Sequence, residues 1–164
     1  MLKIAIIMGS KSDFEVVKPA LKVLKSFEIE TDVHIISAHR TPDIAHEFAL
    51  NAIKNNYGVI IAAAGKSAHL AGVLAASTII PVIGLPIQTS FMGGLDSLLS
   101  IVQMPSGIPV ATVGVNAAEN AGILAAQILA LTSGELAKKI KDFKKQMAEK
   151  IANDDKTLQS EINL

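Results

Sequence analysis

The sequence predicts an α/β protein built as a three-layer αβα sandwich around a central parallel sheet. Short runs of β-branched and other apolar residues alternate with longer stretches of helical periodicity along the 164 residues. These short runs show almost no polar alternation, which indicates strands that helices bury on both faces. Half of the residues are hydrophobic, enough to fill the core of one domain of this length. The fold class is therefore flavodoxin-like or Rossmann-like.

The predicted elements follow one another as βα units. Residues 3–8 (KIAIIM) form the first strand, and a helix follows over residues 12–27. In folds of this class the ligand site lies at the carboxyl ends of the strands. The loops after the first three strands are therefore the informative ones, because polar residues concentrate there. The other strands are predicted at residues 30–37, 59–63, 81–85 and 109–115, and the other helices at residues 42–55, 68–77, 94–104 and 117–132.

Gly134 separates a last amphipathic helix, residues 135–153, from the body of the chain. We predict two parts: residues 1–133 as the α/β domain that carries the chemistry, and residues 134–164 as a helix and tail that pack on neighbouring subunits. The lysines of this helix lie largely off its apolar stripe, as expected of a solvated face behind a packing face. Residues after Asp154 give no clear signal. The stripe comprises Leu136, Ile140, Phe143, Met147 and Ile151.

The overall charge and the cysteine content exclude several classes of protein. The formal net charge is zero, with 15 basic and 15 acidic residues, which argues against a nucleic-acid or anionic-membrane surface. The chain has no cysteine, so disulfides and thiolate-bound metals are excluded. The first predicted strand begins too early to leave room for a secretory signal, so we expect a cytoplasmic protein.

The charge is distributed unevenly along the chain. Between residues 55 and 134 only Lys66, Asp96 and Glu119 are charged. A membrane span does not explain this segment, because glycine and proline interrupt each long apolar run. The pattern favours a soluble chain that buries much of its surface against copies of itself over a compact monomer with an uncharged surface.

The loop after the first strand, residues 9–13 (GSKSD), leads directly into a helix. A glycine permits close approach to the backbone, and free N–H groups at a helix N-terminus favour phosphate and other anions. A purely structural role is equally open. Ser12 with Glu15 fits a capping box, and Asp13 in the first turn suits the helix dipole.

The loop after the second strand, residues 37–42 (SAHRTP), contains two residues without a structural explanation. Thr41 and Pro42 fit the N-cap and the first position of a helix. Arg40 is the only arginine of the chain, beside His39, and the other 14 basic residues are lysines. Arginine suits two-point recognition of phosphate or carboxylate, and histidine suits proton transfer near neutral pH. A chance surface arginine is the alternative.

The loop after the third strand, residues 64–69 (AGKSAH), is not a nucleotide-binding P-loop. That motif needs a glycine five positions before Gly65, where this chain has Ile60, so we reject a nucleoside triphosphatase. His69 is left at the mouth of this loop, at the same sheet edge as His39. The site therefore suits proton transfer on a small phosphorylated substrate.

The remaining histidines and the composition argue against cofactors. His34 lies within the second strand and His46 within the second helix, where a lone histidine is usually a packing residue. No pair of histidines has the helical spacing of a metal site. There is no G-x-G-x-x-G motif, and six aromatic residues leave little for stacking on a flavin. We expect neither a metal nor an organic cofactor.

Two of these motifs resemble the class I 5-(carboxyamino)imidazole ribonucleotide mutases of purine biosynthesis, within the phosphoribosylaminoimidazole carboxylase family. They are residues 8–13 (MGSKSD) and 37–42 (SAHRTP), and both follow the expected strands. The similarity covers about residues 3–132. Further matches are His69-Leu70, residues 96–105 (DSLLSIVQMP) and residues 125–129 (AAQIL).

The resemblance implies an enzyme that interconverts N-carboxylated aminoimidazole ribonucleotide and its C4-carboxylated isomer without a cofactor. It also implies a homo-octamer. Whether the protein makes a transient contact with the synthetase that produces the labile substrate is left open. In the implied reaction the carbamate leaves as carbon dioxide, stays in the pocket and is attacked by C4. His39 matches the catalytic histidine, which would carry the proton between C4 and the nitrogen.

The resemblance also implies the binding residues. Ser10, Asp13 and Arg40 would hold the ribose 5-phosphate portion, and His69 would support its loop or contact the carboxylate. The other residues expected to line the pocket are Gly9, Ser12, Ser37, Ala38, Gly65, Ser67 and Leu70.

The chain departs from the family pattern in three places. The family commonly has Gly-Gly-Ala at residues 65–67, where this chain has GKS, and His-Leu-Pro-Gly at residues 69–72, where it has HLAG. Lys66 therefore adds a charge near the carboxylate. The loop at residues 89–92 (TSFM) is bulkier than usual.

Two other functions compete with the mutase. The class II relatives carboxylate the ribonucleotide directly with free carbon dioxide, and there a lysine typically follows the histidine, where this chain has Arg40. A non-catalytic nucleotide-binding module is the other alternative.

Overall fold

The computed structural model describes residues 2–162. Strands and helices alternate from Lys3 to Ala130, and a long helix ends the described part. The strands are β1 (Lys3–Met8), β2 (Thr31–Ile35), β3 (Tyr57–Ala64), β4 (Val82–Pro86) and β5 (Ala111–Thr112). The helices are α1 (Phe14–Ser26), α2 (Pro42–Leu50), α3 (Leu70–Ala76), α4 (Leu95–Val102), α5 (Ala118–Ala130) and α6 (Gly134–Ile162).

The five strands form one parallel sheet in the order β2-β1-β3-β4-β5. The chain first steps outward from β1 to β2 and then returns past β1 to β3. The strand order therefore reverses between β1 and β3, which is where an open α/β sheet leaves a crevice at the carboxyl ends of its strands. Met8 and Ala64 end these two strands and flank that crevice.

Alternate residues of the strands pack against two helical layers. Ile4 and Ile6 of β1 belong to the core under α1, α5 and the start of α6. Ala5 and Ile7 belong to the core under α2, α3 and α4. All four are fully buried, because helices cover both faces of the sheet. The predicted three-layer sandwich with a central parallel sheet is confirmed.

Several elements end elsewhere than the sequence predicts. The edge strands are shorter: β2 ends at Ile35, and β5 contains only two residues. Its late start fits Pro109, which has no N–H to donate to a ladder. Helix α2 ends at Leu50 rather than at residue 55. The chain then turns and passes through Asn56 in the left-handed region, at φ 64°, before β3 begins.

Helix α6 includes Gly134, which is predicted to precede it, and it continues to Ile162 rather than to residue 153. Its first apolar residues pack within the chain: Leu136 and Ile140 are buried, and the Phe143 ring meets Phe27 edge-on with centroids 5.4 Å apart. The expectation that the whole stripe packs on a neighbour is therefore wrong for its first part. None of the helices within residues 2–162 combines the length and apolar character that a membrane span requires.

Candidate active site

The loops at the carboxyl ends of β1 to β4 surround one cleft of about 880 Å³. The structure brings together in this cleft every residue that the sequence analysis places in the site. These residues are Gly9, Ser10, Ser12, Asp13, Ser37, Ala38, His39, Arg40, Gly65, Ser67, His69 and Leu70. Their common position follows from the parallel sheet, which sends the ends of all its strands to one edge.

The loop after β1 is a compact cluster of hydroxyl groups. A single 3-10 turn, Lys11–Asp13, precedes α1, and the Ser10 hydroxyl accepts the Ser12 N–H at 3.3 Å. The Ser12 hydroxyl lies 2.9 Å from the Ser10 oxygen and 3.2 Å from Asp13 Oδ1. The predicted capping box is wrong, because Ser10 rather than Ser12 caps the turn and Glu15 pairs with Lys18 at 2.6 Å.

The Asp13 carboxylate carries an electrostatic cost. Burial raises its pKa above the ordinary value of an aspartate, while the hydrogen bond from Ser12 and the charge of Arg40 lower it. The balance is upward, so burial disfavours the charged form of this carboxylate. Hydrogen bonds donated to it by a bound molecule would favour the charged form.

Arg40 joins the loop after β2 to the loop after β1. Its Nη2 donates to the Gly9 carbonyl at 2.6 Å, and its Nε lies 3.2 Å from the Ser37 hydroxyl. Two hydrogen bonds close this loop: the Ser37 N–H donates to the Thr41 hydroxyl, which in turn donates to the Ser37 carbonyl. Thr41 thus holds the expected N-cap position, but its hydroxyl bonds to Ser37 and not to the helix. Pro42 is the first residue of α2, as predicted.

His39 and His69 meet across the cleft. Nε2 of His39 lies 3.0 Å from Nδ1 of His69, and the rings cross at 80° with centroids 5.1 Å apart. In such a contact one ring nitrogen donates and the other accepts, and the tautomers of the two rings decide which. Both side chains are exposed to the cleft. The pair can therefore exchange a proton with a bound molecule.

The loop after β3 leaves the strand through a tight turn. Ile60 lies inside β3 and is fully buried, which confirms that residues 60–64 are strand rather than a phosphate cradle. Lys66 follows in the left-handed region at φ 58°, and its carbonyl accepts the Ala68 N–H at 2.8 Å. Helix α3 begins only at Leu70, two residues later than predicted.

The loop after β4 forms a fourth wall that the sequence analysis missed. Gln88 is fixed by Asn116, whose Oδ1 accepts the Gln88 N–H at 2.9 Å and whose Nδ2 donates to Gln88 Oε1 at 3.1 Å. The Thr89 hydroxyl donates to Asp96 at 2.6 Å. The rule that sites lie at carboxyl strand ends points to this loop too. The residues of this wall are Ile87, Gln88, Thr89 and Ser90.

The other two histidines lie outside the cleft. His34 lies in β2 with its ring 5.4 Å from Phe48, and Nδ1 of His46 lies 2.9 Å from the Ser77 hydroxyl. Both therefore have local partners, but both are exposed rather than packed in the core. Within residues 2–162, no cluster of three or more histidine, aspartate and glutamate side chains is placed to hold a metal ion.

Comparison with known proteins supplies the family. The model of the family described as AIR carboxylase matches residues 3–150. The chain is 55% identical over 147 residues to the N5-carboxyaminoimidazole ribonucleotide mutase of Pyrococcus abyssi, covering 90% of this chain and 84% of that protein. The mutase of Thermotoga maritima is 52% identical, covering 92% of this chain and 88% of its own length. For the mutase of Escherichia coli these values are 46%, 91% and 89%.

Solved structures agree with this assignment. The crystal structure of Treponema denticola PurE superposes with a TM-score of 0.86 at 32% identity, covering 94% of this chain and 97% of that one. The match therefore extends over nearly the whole chain. Sequence and structure lead to the same conclusion: the chain belongs to the AIR carboxylase family.

Proposed function

We propose that the protein is an N5-carboxyaminoimidazole ribonucleotide mutase of purine biosynthesis, the activity named for its relatives in three organisms. The enzyme moves a carboxylate from the exocyclic nitrogen of an aminoimidazole ribonucleotide to C4 of the ring. The observation that carries the proposal is the contact between His39 and His69 in a cleft that also holds the sole arginine.

The ribose 5-phosphate would lie at the loops after β1 and β2. Ser10 and Ser12 offer hydroxyls, and Arg40 brings a guanidinium already held over Gly9. A phosphate suits hydroxyl and guanidinium donors, because it accepts several hydrogen bonds at once. Asp13 is an acceptor, so we assign it to the ribose hydroxyls, which would donate to its carboxylate. Gly9, Ser37 and Ala38 complete this end of the cleft.

His39 would move the proton of the reaction. Loss of the carbamate breaks the bond between nitrogen and the carboxyl carbon and releases carbon dioxide, and the nitrogen gains a proton. C4 then attacks carbon dioxide, a carbon–carbon bond forms, and C4 gives up its proton. One imidazole can donate the proton to the nitrogen in the first step and accept the proton from C4 in the second, so no net proton is gained or lost. His69, 3.0 Å away, would orient the His39 ring.

Retention of carbon dioxide needs a pocket that water leaves while the substrate reacts. Apolar groups from Ala64, Leu70 and Ile87 reach this cleft beside the histidines. All three are buried, so the walls they form are fixed by the core. We propose that this part of the cleft holds the neutral gas between the two steps, with Gly65 and Ser67 in the adjacent loop.

We propose that the enzyme is a homo-oligomer. The resemblance to the family implies an octamer. Support comes from large apolar side chains that lie exposed on α2, α4 and the strand-connecting turns, and from the low charge of residues 55–134. Residues 134–164 would contribute through the exposed part of α6, which carries Met147, Ile151 and Leu158. A sedimentation mass equal to one chain would refute the assembly.

The setting of the enzyme is proposed on chemical grounds. A carbamate is labile in water, which favours transient delivery by the synthetase that makes it. De novo purine synthesis would place the protein in the cytoplasm.

The function is tested by offering the purified protein two substrates without ATP or added metal. One is the N-carboxylated ribonucleotide, and the other is the decarboxylated ribonucleotide with modest bicarbonate. We expect rapid formation of the C4-carboxylate from the first and little from the second. Preference for the second would make the protein a direct carboxylase, although Arg40 in place of lysine after His39 favours the mutase. Activity with neither would leave the binding module.

A further inference from the structure

Lys66 occupies a conformation that a lysine rarely adopts. Its φ of 58° lies in the left-handed region, where the Cβ of an L-residue crowds the following carbonyl. Five non-glycine residues within residues 2–162 have such a φ: Glu28, Asn56, Lys66, Met92 and Asn116. Of these, Lys66 lines the cleft and the others do not. A backbone cost at a ligand site calls for a functional explanation.

The backbone of Lys66 is fixed, whereas its ammonium group is free. The Lys66 carbonyl accepts the Ala68 N–H at 2.8 Å and lies 3.4 Å from the Ser100 hydroxyl of α4. Its side chain is exposed and has no hydrogen bond or ion pair to any group within residues 2–162. The turn therefore places in the lining of the cleft a lysine whose charge has no partner among the described residues.

The charges that line the cleft divide into two places. Arg40 and Asp13 lie together at the loops after β1 and β2, where Arg40 is bonded to Gly9 and Ser37. Lys66 stands in the loop after β3, three residues before His69. The contact between His39 and His69 joins these two loops. A ring placed over the histidine pair thus has Arg40 on one loop and Lys66 on the other.

We propose that Lys66 is the second anion-binding group of the cleft and holds the migrating carboxylate of the substrate. This inference rests on the proposed function, which supplies a ligand with a phosphate at one end and a carboxylate on its ring. Arg40 serves the phosphate, and Lys66 pairs with the carboxylate before and after its transfer. Carbon dioxide is neutral, so the ammonium binds the two carboxylated states more tightly than the intermediate between them.

Binding of two ribonucleotides that differ only in the carboxylate tests this assignment. The probes are the decarboxylated aminoimidazole ribonucleotide and its C4-carboxylate, titrated by calorimetry into wild type and Lys66→Met. We expect about tenfold weaker binding of the C4-carboxylate, because one charge-assisted hydrogen bond is lost. Binding of the decarboxylated ribonucleotide should stay within about twofold of wild type.

Two further variants separate local pairing from general charge. Lys66→Arg keeps a cation and should retain most of the affinity for the C4-carboxylate. Lys11→Met removes an exposed lysine next to the cleft that does not line it, so both affinities should match wild type. In turnover, Lys66→Met should raise KM without lowering kcat, because the lost interaction stabilises the bound carboxylate more than the neutral carbon dioxide that follows it.

The outcomes distinguish the two proposals. Equal weakening of both ligands, or no weakening of the C4-carboxylate, would overturn the assignment of Lys66 while wild-type conversion still supports the mutase. Wild-type protein that neither binds nor converts these ribonucleotides would refute the proposed function, and the role of Lys66 with it.

Discussion

The amino and carboxyl ends of the sheet differ in whether their charged side chains form ion pairs. At the amino end, Lys3 of β1 pairs with Asp32 of β2 at 2.6 Å, and the Tyr57 hydroxyl of β3 donates to the same carboxylate at 2.7 Å. At the carboxyl end, Arg40 and Lys66 form no ion pair within residues 2–162. The charges at the amino end are paired with each other, whereas the two cations at the carboxyl end have no carboxylate within ion-pair distance among the described residues.

The pKa shifts express the same difference. The hydrogen bond from Lys3, followed by that from Tyr57, lowers the pKa of Asp32 and so favours its charged form. Burial raises the pKa of Asp13 and disfavours its charged form. A carboxylate at the amino end therefore stabilises the fold, whereas a carboxylate at the cleft weakens it. This is the pattern expected when stability and ligand binding are assigned to opposite edges of one sheet.

The largest effect is expected at the cleft, from His39→Asn. Asparagine keeps a polar group of similar size but cannot carry the proton, so kcat should fall by about a hundredfold to ten-thousandfold. Substrate affinity, measured by calorimetry, should remain close to wild type. His46→Asn is the matched control, because His46 bonds to Ser77 outside the cleft. Turnover that survives in the His39 variant would remove the proton transfer from this residue.

Arg40→Lys tests the anion end of the cleft. One ammonium cannot hold the Gly9 carbonyl and the Ser37 hydroxyl together while also binding a phosphate on two points. We expect KM to rise about tenfold with a smaller change in kcat. Steady-state kinetics measure both quantities. An unchanged KM would show that the phosphate is held elsewhere.

The residues at the carboxyl end of the sheet could largely be predicted from the sequence, whereas the cluster at the amino end could not. The strands and helices are clear because buried βα units have few polar interruptions, and the cleft residues follow from their place after the strands. The cluster of Lys3, Asp32 and Tyr57 depends on the register of three strands, which single strand patterns do not specify.

Within the cleft, the sequence predicts which residues gather but not how they touch. The 3.0 Å contact between His39 and His69 joins residues that lie 30 positions apart. The wall at Gln88 depends on Asn116, from the loop after β5. The extension of α6 to Ile162 could not be predicted either. Its last turns are exposed on all sides, so they show no periodic pattern of buried apolar residues.

Asp32→Asn tests the amino end. The variant loses the charge that pairs with Lys3, so the free energy of unfolding at neutral pH should fall by about 1 kcal/mol, with solvent screening limiting the effect. The folded pKa of Asp32 lies below its unfolded value, so its contribution is present above the unfolded pKa and is lost as the pH falls through the folded pKa.

Urea unfolding followed between neutral and acid pH measures both effects. Wild type should lose stability more steeply on acidification than Asp32→Asn, while kcat of the two proteins should agree at neutral pH. Parallel acid profiles would mean that ionisation of Asp32 contributes nothing to stability.

Asp13→Asn should change the free energy of unfolding least, and in the opposite direction to Asp32→Asn. The folded pKa of Asp13 is raised, so its ionised form destabilises the ligand-free fold at neutral pH, and stability is gained as the pH falls through that pKa. Asparagine removes the charge, and no capping hydrogen bond is lost because the Asp13 side chain makes none to α1, so the free energy of unfolding should rise by roughly 0.5 kcal/mol. The same variant should bind the ribonucleotide more weakly, because an amide oxygen accepts hydrogen bonds from the ribose hydroxyls less strongly than a carboxylate does. Urea unfolding and calorimetry on one preparation test both, and a variant that loses stability together with affinity would show that Asp13 supports the fold as Asp32 does.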